Sequence, residues 1–320
     1  MTEPAILIDR ISKRFASHVA VRELSLRVPR GSVYGLLGPN GAGKTTTIRM
    51  ILNILVPDTG SVTLLGRTHR DPTLNDRIGY LPEERGLYRK MRVRDVLRFL
   101  ARLKGVPSAG LDVKIDQWLE RFQLRGSGGD WSRARVDELS RGMQQKVQFI
   151  GALLHDPELV ILDEPFSGLD PVNAQALKDT VLELRQQGRT VIFSTHVMEN
   201  AERMCDAVCI VAGGEKVLDG PVSEVRAVHG SRVVMIQFET PPSAAANAVL
   251  RDPALVGRYN DAHLTVEVEM AGAADPQELL ARLVTTGARL ERFELVRPSL
   301  HRIFLEKVGA QVEVGLSGHG

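Results

Sequence analysis

The chain has 320 residues, 43% of them hydrophobic and 25% charged, a composition that excludes a disordered protein and allows two domains of about 150 residues each. Its 41 Lys and Arg residues nearly balance 39 Asp and Glu residues, so the net charge of +2 does not indicate a nucleic-acid-binding surface. Cys205 and Cys209 are too few for a disulfide framework and fit a reducing compartment. Without further Cys or His residues nearby, they are expected to be buried structural thiols rather than metal ligands.

Apolar residues do not form a run close to the roughly 18 residues that a membrane-spanning helix needs. The densest run covers residues 149–154. The first residues also lack the apolar stretch and the cleavage site of a secretory signal. We therefore expect a cytoplasmic protein that does not cross a bilayer by itself.

The first 70 residues predict a β-rich subdomain. Short segments rich in Val, Ile and Leu, bounded by Gly, Pro or Asp, occur at residues 6–11, 19–28, 33–37 and 61–65. A helix is predicted to begin near Lys44 and to end before Pro57, because proline cannot continue a helix.

Residues 92–155 predict a helical subdomain, because apolar residues such as Val93, Val96 and Leu100 recur every three or four positions. From residue 159 onward the pattern alternates between strands and helices, with strands predicted at 159–162, 190–193 and 207–211. Strands that alternate with helices pair in parallel, so this part of the chain is expected to form an α/β sheet.

A change in composition at the glycines of positions 213, 214 and 220 predicts a domain boundary. We place a first domain at residues 1–220, with its helical subdomain at about 92–155, a second domain at 231–310 and a tail at 311–320. The second domain has the predicted order strand, helix, strand, strand, helix, strand and helix, which is typical of a ferredoxin-like α+β fold.

Residues 38–45 fit the pattern G-x-x-x-x-G-K-[ST] between a predicted strand and a predicted helix. Glycines at these positions let successive backbone N–H groups surround a phosphate, and the helix N-terminus adds the positive end of its dipole. Lys44 can reach the β- and γ-phosphates, and the Thr45 hydroxyl can bind Mg²⁺. The predicted nucleotide site consists of Gly38, Pro39, Asn40, Gly41, Ala42, Gly43, Lys44, Thr45 and Thr46.

Asp163 and Glu164 directly follow the apolar strand predicted at residues 159–162. Open α/β sheets bind ligands at the carboxyl ends of their strands. Asp163 is expected to hold the metal ion, and Glu164 to polarise the attacking water as a general base. Taken alone, two acidic residues after a strand are more typical of a helix cap, but their combination with residues 38–45 favours a catalytic site.

Residues 139–143, Leu-Ser-Arg-Gly-Met, lie about twenty residues before Asp163. They resemble the signature Leu-Ser-x-Gly-Gln of the nucleotide-binding subunits of ATP-binding cassette (ABC) transporters, with Met143 in the place of Gln. A serine at this point is also an ordinary helix cap, but the spacing favours the signature. The motifs follow the family order over residues 5 to about 215.

The resemblance implies a P-loop NTPase core with a β-rich N-terminal subdomain and a helical subdomain, followed by a small α+β domain. It also implies further site residues. Phe15 would stack on adenine, and His196 would contact the γ-phosphate. Ser140 and Gly142 would hold the γ-phosphate of ATP bound to the opposite subunit, and residues 167–170 would cross the dimer interface.

Glu83 occupies a position at which most of these ATPases carry Gln. In the family, that Gln touches the metal ion or the water and links the site to the transport partner. A carboxylate can still bind Mg²⁺, although it adds a negative charge near the triphosphate. Residues 84–88 continue this loop and are expected to contact the partner.

Residues 82–88 and 298–305 resemble one branch of the family, the bacterial exporter-type ATPases related to sodium- and drug-efflux systems. The resemblance implies a subunit that uses ATP and Mg²⁺ and energises export by head-to-tail dimerisation with an identical or similar ATPase. A separate membrane-spanning permease would hold it at the inner face of the cell membrane.

Two other functions were weighed against this one. A soluble cassette ATPase that acts on DNA or the ribosome usually has a long coiled coil or a second cassette, and the sequence shows neither. The near-neutral charge also argues against a nucleic-acid partner. A nucleotide-regulated module that does not hydrolyse ATP is disfavoured by the complete set of Lys44, Asp163, Glu164 and His196.

Overall fold

A computed structural model describes residues 3–16, 18–84, 86–126, 129–228, 233–262, 264–296 and 299–316. The chain forms two compact units, Met1–Val222 and Ser223–Gly320. Arg85 and Pro298, which belong to the two branch-specific segments of the sequence, lie outside the described residues. Within the described ranges, no helix combines the length and the apolar character needed to cross a lipid bilayer.

Unit 1 contains strands and helices that alternate for most of its length. Its described strands are β1 (Ile6–Phe15), β2 (His18–Val28), β3 (Val33–Leu37), β4 (Thr59–Leu64), β5 (Arg67–Thr68), β6 (Ile78–Leu81), β7 (Arg125–Gly126), β8 (Gly129–Asp130), β9 (Leu159–Leu162), β10 (Thr190–Thr195), β11 (Ala207–Ala212) and β12 (Glu215–Pro221). Its helices are α1 (Lys44–Ile51), α2 (Val93–Leu103), α3 (Leu111–Arg121), α4 (Arg141–Leu153), α5 (Pro171–Gln186) and α6 (Met198–Met204). A further helix, α7 (Val222–Val228), begins at the last residue of the unit.

An antiparallel sheet of order β2-β1-β4-β5 forms the β-rich subdomain. Ile6, Ile8 and Ile11 of β1 are buried, because they point to the face of the sheet that packs on the core. Arg10 has a positive φ of 44°, and the register of β1 against β2 shifts around it. The predicted strand 6–11 therefore continues through this irregularity to Phe15.

A six-stranded sheet of order β12-β11-β3-β10-β9-β6 lies at the centre of unit 1. Every residue of β3, β9 and β10 is buried, as expected for parallel strands covered on both faces. Thr195 pairs with Leu37, and Phe193 pairs with Leu162. Because these strands run in parallel and in register, the residues that follow them meet at one edge of the sheet.

The predicted helical subdomain contains α2, α3 and α4. Their apolar faces share one core with the central sheet, in which Val93, Leu119 and Ile150 are fully buried. Ser140 is the N-cap of α4, and its hydroxyl accepts a hydrogen bond from the N–H of Met143 at 3.3 Å. The cap ends the preceding loop and begins the helix, as Ser commonly does at this position.

The strand β12 and the helix α7 are absent from the sequence-based prediction, as are the two-residue strands β5, β7 and β8. β12 pairs antiparallel with β11 at the edge of the sheet, where glycines at 213, 214 and 220 suggested only a boundary. α7 follows directly. Gly213 and Gly214 form the turn between β11 and β12, with positive φ angles of 56° and 82°, so these two glycines belong to a hairpin, whereas Gly220 lies within β12.

Unit 2 consists of β13 (Val233–Phe238), α8 (Ala244–Leu250), β14 (Val256–Ala262), β15 (Thr265–Met270), α9 (Pro276–Thr285), β16 (Leu290–Val296) and α10 (Leu300–Leu316). The strands form an antiparallel sheet of order β14-β15-β13-β16. Apolar residues from this sheet, including Ile236, Phe238 and Val268, share a core with Leu279 of α9. The element order is that of a ferredoxin-like fold, as the sequence predicted.

The C-terminal helix is longer than expected. α10 ends at Leu316, so residues 311–316, which we predicted to belong to a tail, are helical. α10 continues through the glycines at positions 309 and 315, since one glycine costs a helix only about 1 kcal/mol. Residues 317–320 lie outside the described part of the chain.

Candidate active site

The loop between β3 and α1 has the conformation that a phosphate-binding loop requires. Gly43 has a positive φ of 100°, and a Cβ atom there would lie 2.4 Å from the backbone oxygen of Ala20. Gly38 is equally constrained, because its Cβ would lie 2.2 Å from the backbone oxygen of Val211. Only glycine fits at these two positions. Helix α1 begins at Lys44, the residue after Gly43.

The ammonium group of Lys44 is folded back onto its own loop. Nζ donates to the backbone oxygens of Gly38 at 2.8 Å and of Pro39 at 3.1 Å. It also lies 3.4 Å from Glu164 Oε1, and only 6% of the Lys44 side chain is exposed. A lysine in this position can exchange its carbonyl partners for phosphate oxygens with little movement of its backbone.

Asp163 is fully buried at the end of β9. Its Oδ1 lies 3.3 Å from the Thr45 hydroxyl and accepts a hydrogen bond from Ser194 Oγ at 2.5 Å. Its Oδ2 is buried without a hydrogen-bond partner among the described residues. Burial raises the pKa of the Asp163 carboxyl above its usual value.

Glu164 is also buried, with 6% of its surface exposed, and its φ of 47° is unusual for a residue with a Cβ. Its backbone N–H donates to Ser194 Oγ at 2.9 Å. Both carboxylate oxygens lie 3.1 Å from Nδ1 of His196. Because Lys44 lies on its other side, Glu164 connects the phosphate-binding loop with the histidine that follows β10.

A cleft of about 420 Å³ lies beside the loop of residues 38–46 and Glu164. Phe15 lines this cleft, and 47% of its surface is exposed. Glu83 and Glu164 also line this cleft. The other lining residues are His18, Ala20, Asn40, Gly41, Ala42, Gly43, Lys44, Thr45 and Thr46.

Ser140 and Gly142 do not line this cleft. They flank the start of α4, beside a groove of about 600 Å³ that Arg141, Gln144 and Gln145 line. Glu83 and Glu164 line both cavities. The structure therefore brings together Phe15, Glu83, residues 38–46, Asp163, Glu164 and His196, while the two signature residues stand apart from them within the same chain.

Three residues at the site were not predicted from the sequence. Ser194 contacts both acidic residues, and His18 and Ala20 form part of the cleft wall. The sequence contained one signal for Ser194, a hydroxyl residue that directly follows the strand predicted at residues 190–193 and lies two positions before His196. No comparable pattern marks His18 or Ala20, because they reach the cleft through the pairing of β2 with β1.

The oxygen groups near Asp163 suit Mg²⁺. Among the described residues, no cluster of three or more His, Cys, Asp or Glu side chains could hold a metal ion. Mg²⁺ in nucleotide sites needs only one or two carboxylates, because water and phosphate oxygens complete its octahedron. The unpartnered Oδ2 of Asp163 and the adjacent Thr45 hydroxyl provide such a partial set of ligands.

Two family models match the chain. Residues 21–167 match the model described as "ABC transporter". Residues 220–308 match the model described as "ATP-binding protein DrrA1-3-like, C-terminal domain".

Curated relatives cover nearly the whole chain. An uncharacterized ABC transporter ATP-binding protein, YhaQ of Bacillus subtilis, is 43% identical over 308 residues, which is 96% of this chain and 100% of the relative. The Nod factor export ATP-binding protein I of Burkholderia lata is 34% identical over 317 residues, or 97% of this chain and 99% of the relative.

Solved structures match over the larger unit. A structure titled "Structure of ATP binding subunit of ABC transporter" is 30% identical, with a TM-score of 0.64 over 70% of this chain and 92% of that chain. A second, cbiO1 from Clostridium perfringens, is 24% identical with a TM-score of 0.60, and it supports the fold.

Proposed function

Because the chain belongs to the ATP-binding proteins of ABC transporters, it is an ATPase subunit of a membrane transporter, and we propose which residues carry its reaction. The cleft beside residues 38–46 binds the phosphates of ATP, and Phe15 stacks on the adenine. Glu164 is the general base. The contact between Lys44, Glu164 and His196 at one edge of the sheet is the observation that carries this proposal.

In the proposed binding step, the backbone N–H groups of residues 38–46 surround the phosphates, and the α1 dipole adds favourable charge. Lys44 leaves the carbonyls of Gly38 and Pro39 and donates to phosphate oxygens. The oxygens of Thr45, Asp163 and Glu83 provide ligands for Mg²⁺. When bound, Mg²⁺ neutralises part of the charge that develops on the phosphates.

In the proposed hydrolysis step, the Glu164 carboxylate accepts a proton from the attacking water. The water oxygen forms a bond to the γ-phosphorus, the bond to the β-phosphate oxygen breaks, and ADP and phosphate leave. His196 Nδ1, 3.1 Å from both Glu164 oxygens, holds the carboxylate in place, and the histidine also contacts the γ-phosphate. Lys44 stabilises the negative charge on the phosphate oxygens to which it donates.

Two copies would be needed for a complete site. Ser140 and Gly142 lie outside the cleft of their own chain, which supports a head-to-tail dimer in which they contact ATP held by residues 38–46 of the opposite subunit. The partner is an identical or a similar ATPase. A separate permease, contacted by residues 83–88 and the helical subdomain, would hold the dimer at the inner face of the membrane.

The direction of transport is proposed from the relatives. Several of them are named Nod factor export ATP-binding protein I, and we propose that this chain also energises export. Residues 1–220 would form the ATPase domain, and residues 231–310 an accessory domain of the kind found in the DrrA-like proteins.

Glu164→Gln tests the assignment of the base in the purified full chain. We expect ATP binding to stay within about threefold of wild type, and ATP turnover to fall by about 100-fold or more, because general bases contribute about 10²–10⁴ to the rate. Glu199→Gln, which changes an exposed acid in the first turn of α6, is the matched control. Wild-type turnover in Glu164→Gln would contradict the proposed mechanism.

A further inference from the structure

Ser194 lies near the carboxyl end of β10 with its side chain fully buried. Its strand is the one between β3 and β9. Strand β3 leads into the phosphate-binding loop, and β9 leads into Asp163. Ser194 is therefore the polar residue placed between the two segments that form the proposed site.

The Ser194 hydroxyl uses both its donor and its acceptor on the acidic residues. Oγ donates to Asp163 Oδ1 at 2.5 Å and accepts from the backbone N–H of Glu164 at 2.9 Å. These two bonds tie a side chain and the neighbouring main chain to one buried atom. Without this hydroxyl, Asp163 Oδ1 would keep only the longer bond from Thr45, and the Glu164 N–H would lose its bond to Ser194 Oγ, which is costly in a protein interior.

The backbone conformation at Glu164 needs such support. A φ of 47° is unfavourable for a residue with a Cβ, and such a conformation persists only when neighbouring contacts hold it. The bond from Glu164 N–H to Ser194 Oγ is one of those contacts. The same turn determines where the Glu164 carboxylate points, since the side chain leaves the backbone at that residue.

The conformation of Asp163 depends on the same hydroxyl. Oδ1 is occupied by Ser194 and by the Thr45 hydroxyl, 3.3 Å away. The other oxygen, Oδ2, has no hydrogen-bond partner among the described residues. Ser194 thus holds the carboxylate in the rotamer that leaves one oxygen available to a cation.

We propose that Ser194 is a positioning residue that orients Asp163 for Mg²⁺ binding and holds the turn that presents Glu164. The inference rests on the proposed function, in which Asp163 is a metal ligand and Glu164 is the base. Ser194 itself touches neither substrate nor metal in this scheme. Groups of this kind typically change metal affinity or activity by about 10–100-fold when they are removed.

The test measures the Mg²⁺ concentration that gives half-maximal binding of a fluorescent ATP analogue to the full chain, a readout that does not require turnover. In Ser194→Ala we expect this concentration to rise by about tenfold. Binding of the analogue in EDTA should stay within about twofold of wild type. At saturating Mg²⁺, kcat should fall by about tenfold and KM for ATP should change little.

Two pairs of variants separate positioning from general loss of stability. Ser194→Thr and Ser194→Val have side chains of nearly the same shape, and only Thr keeps the hydroxyl. Thr should restore the wild-type Mg²⁺ requirement, and a Thr variant that behaves like Val would overturn the proposal. Ser32→Ala removes another buried serine hydroxyl, which donates to Pro29 O at 2.7 Å, and should leave the Mg²⁺ requirement unchanged.

Asp163→Asn distinguishes failure of this inference from failure of the proposed function. An unchanged Mg²⁺ requirement in Asp163→Asn would mean that Asp163 is not the ligand, and the proposed function would fail at that point. A raised requirement in Asp163→Asn together with a wild-type requirement in Ser194→Ala would overturn the role of Ser194 alone.

Discussion

Lys44 Nζ lies 3.4 Å from Glu164 Oε1, and less than a tenth of either side chain is exposed. The attraction between the two opposite charges offsets part of the free energy that their removal from water costs. Because Lys44 also donates to two backbone oxygens of its own loop, the pair fills the position next to the phosphate-binding loop. In the proposed site, a triphosphate would redirect Lys44, and its phosphates would lie close to Glu164.

Lys44→Ala should weaken ATP binding by about 10- to 100-fold, since a hydrogen bond between charged groups contributes about 1.5–3 kcal/mol. The measurement is the dissociation constant of a fluorescent ATP analogue, determined on the purified full chain. Wild-type affinity would contradict the role of Lys44 in phosphate binding.

Lys104→Ala is the matched control for that measurement. Lys104 is partly buried and its Nζ also donates to backbone oxygens, of Asn75 at 2.6 Å and of Ile78 at 3.3 Å. It does not line the cleft over the phosphate-binding loop. Removing it should leave ATP affinity within about twofold of wild type, because exposed or remote charges have small effects at a distance.

Cys205 and Cys209 should resist thiol reagents in the folded protein. Cys209 is fully buried and Cys205 partly buried, and burial raises the pKa of both thiols. The thiolate is the reactive form, so both access and ionisation disfavour modification. A colorimetric thiol assay at pH 8 should detect two thiols in denaturant and almost none in the native protein. Rapid labelling of either cysteine in the native state would contradict their burial.

The stability of unit 1 should fall as the pH drops below about 6.5, the ordinary pKa of histidine. Burial lowers the pKa of His155 in the folded state. Its Nε2 bonds to Ile78 O at 3.0 Å, while its Nδ1 is buried without a partner among the described residues. Below pH 6.5 the unfolded state therefore binds a proton that the folded state does not. The stability that unit 1 has with a neutral His155 is fully present above pH 6.5, and it is lost as the pH falls below that value.

His155→Gln should reduce the loss of unfolding free energy between pH 7.5 and 5.5, by at most about 1.4 kcal/mol per pH unit. Urea unfolding followed by tryptophan fluorescence reports on unit 1, because Trp118 and Trp131 both lie there. His301→Gln, at an exposed position of unit 2, is the control. An identical pH dependence in wild type and His155→Gln would rule out this contribution.

Local patterns were sufficient for most of the fold. The apolar runs at β3, β9 and β10 predicted buried parallel strands, and the order of elements in unit 2 predicted its ferredoxin-like sheet. The hairpin of β11 and β12 was missed, because Gly213 and Gly214 are equally typical of a turn and of a linker. Which of the two they form depends on whether the next segment pairs with β11, as β12 does, and the two glycines alone do not specify that pairing.

Residues 38–45 and the pair Asp163 and Glu164 were predictable because their chemistry depends on neighbours in sequence: a glycine-rich turn before a helix, and acids at the end of an apolar strand. Only the tertiary structure decided that Lys44 folds back onto Gly38, that Glu164 lies between Lys44 and His196, and that one Ser194 hydroxyl binds both acids. Apart from the contact between Lys44 and Gly38, these contacts join residues that are 30 or more positions apart, as the 31 positions between Asp163 and Ser194 illustrate. Hydrogen bonds and ion pairs require atoms within a few ångströms, and the register of parallel strands, rather than any local pattern, brings those atoms together.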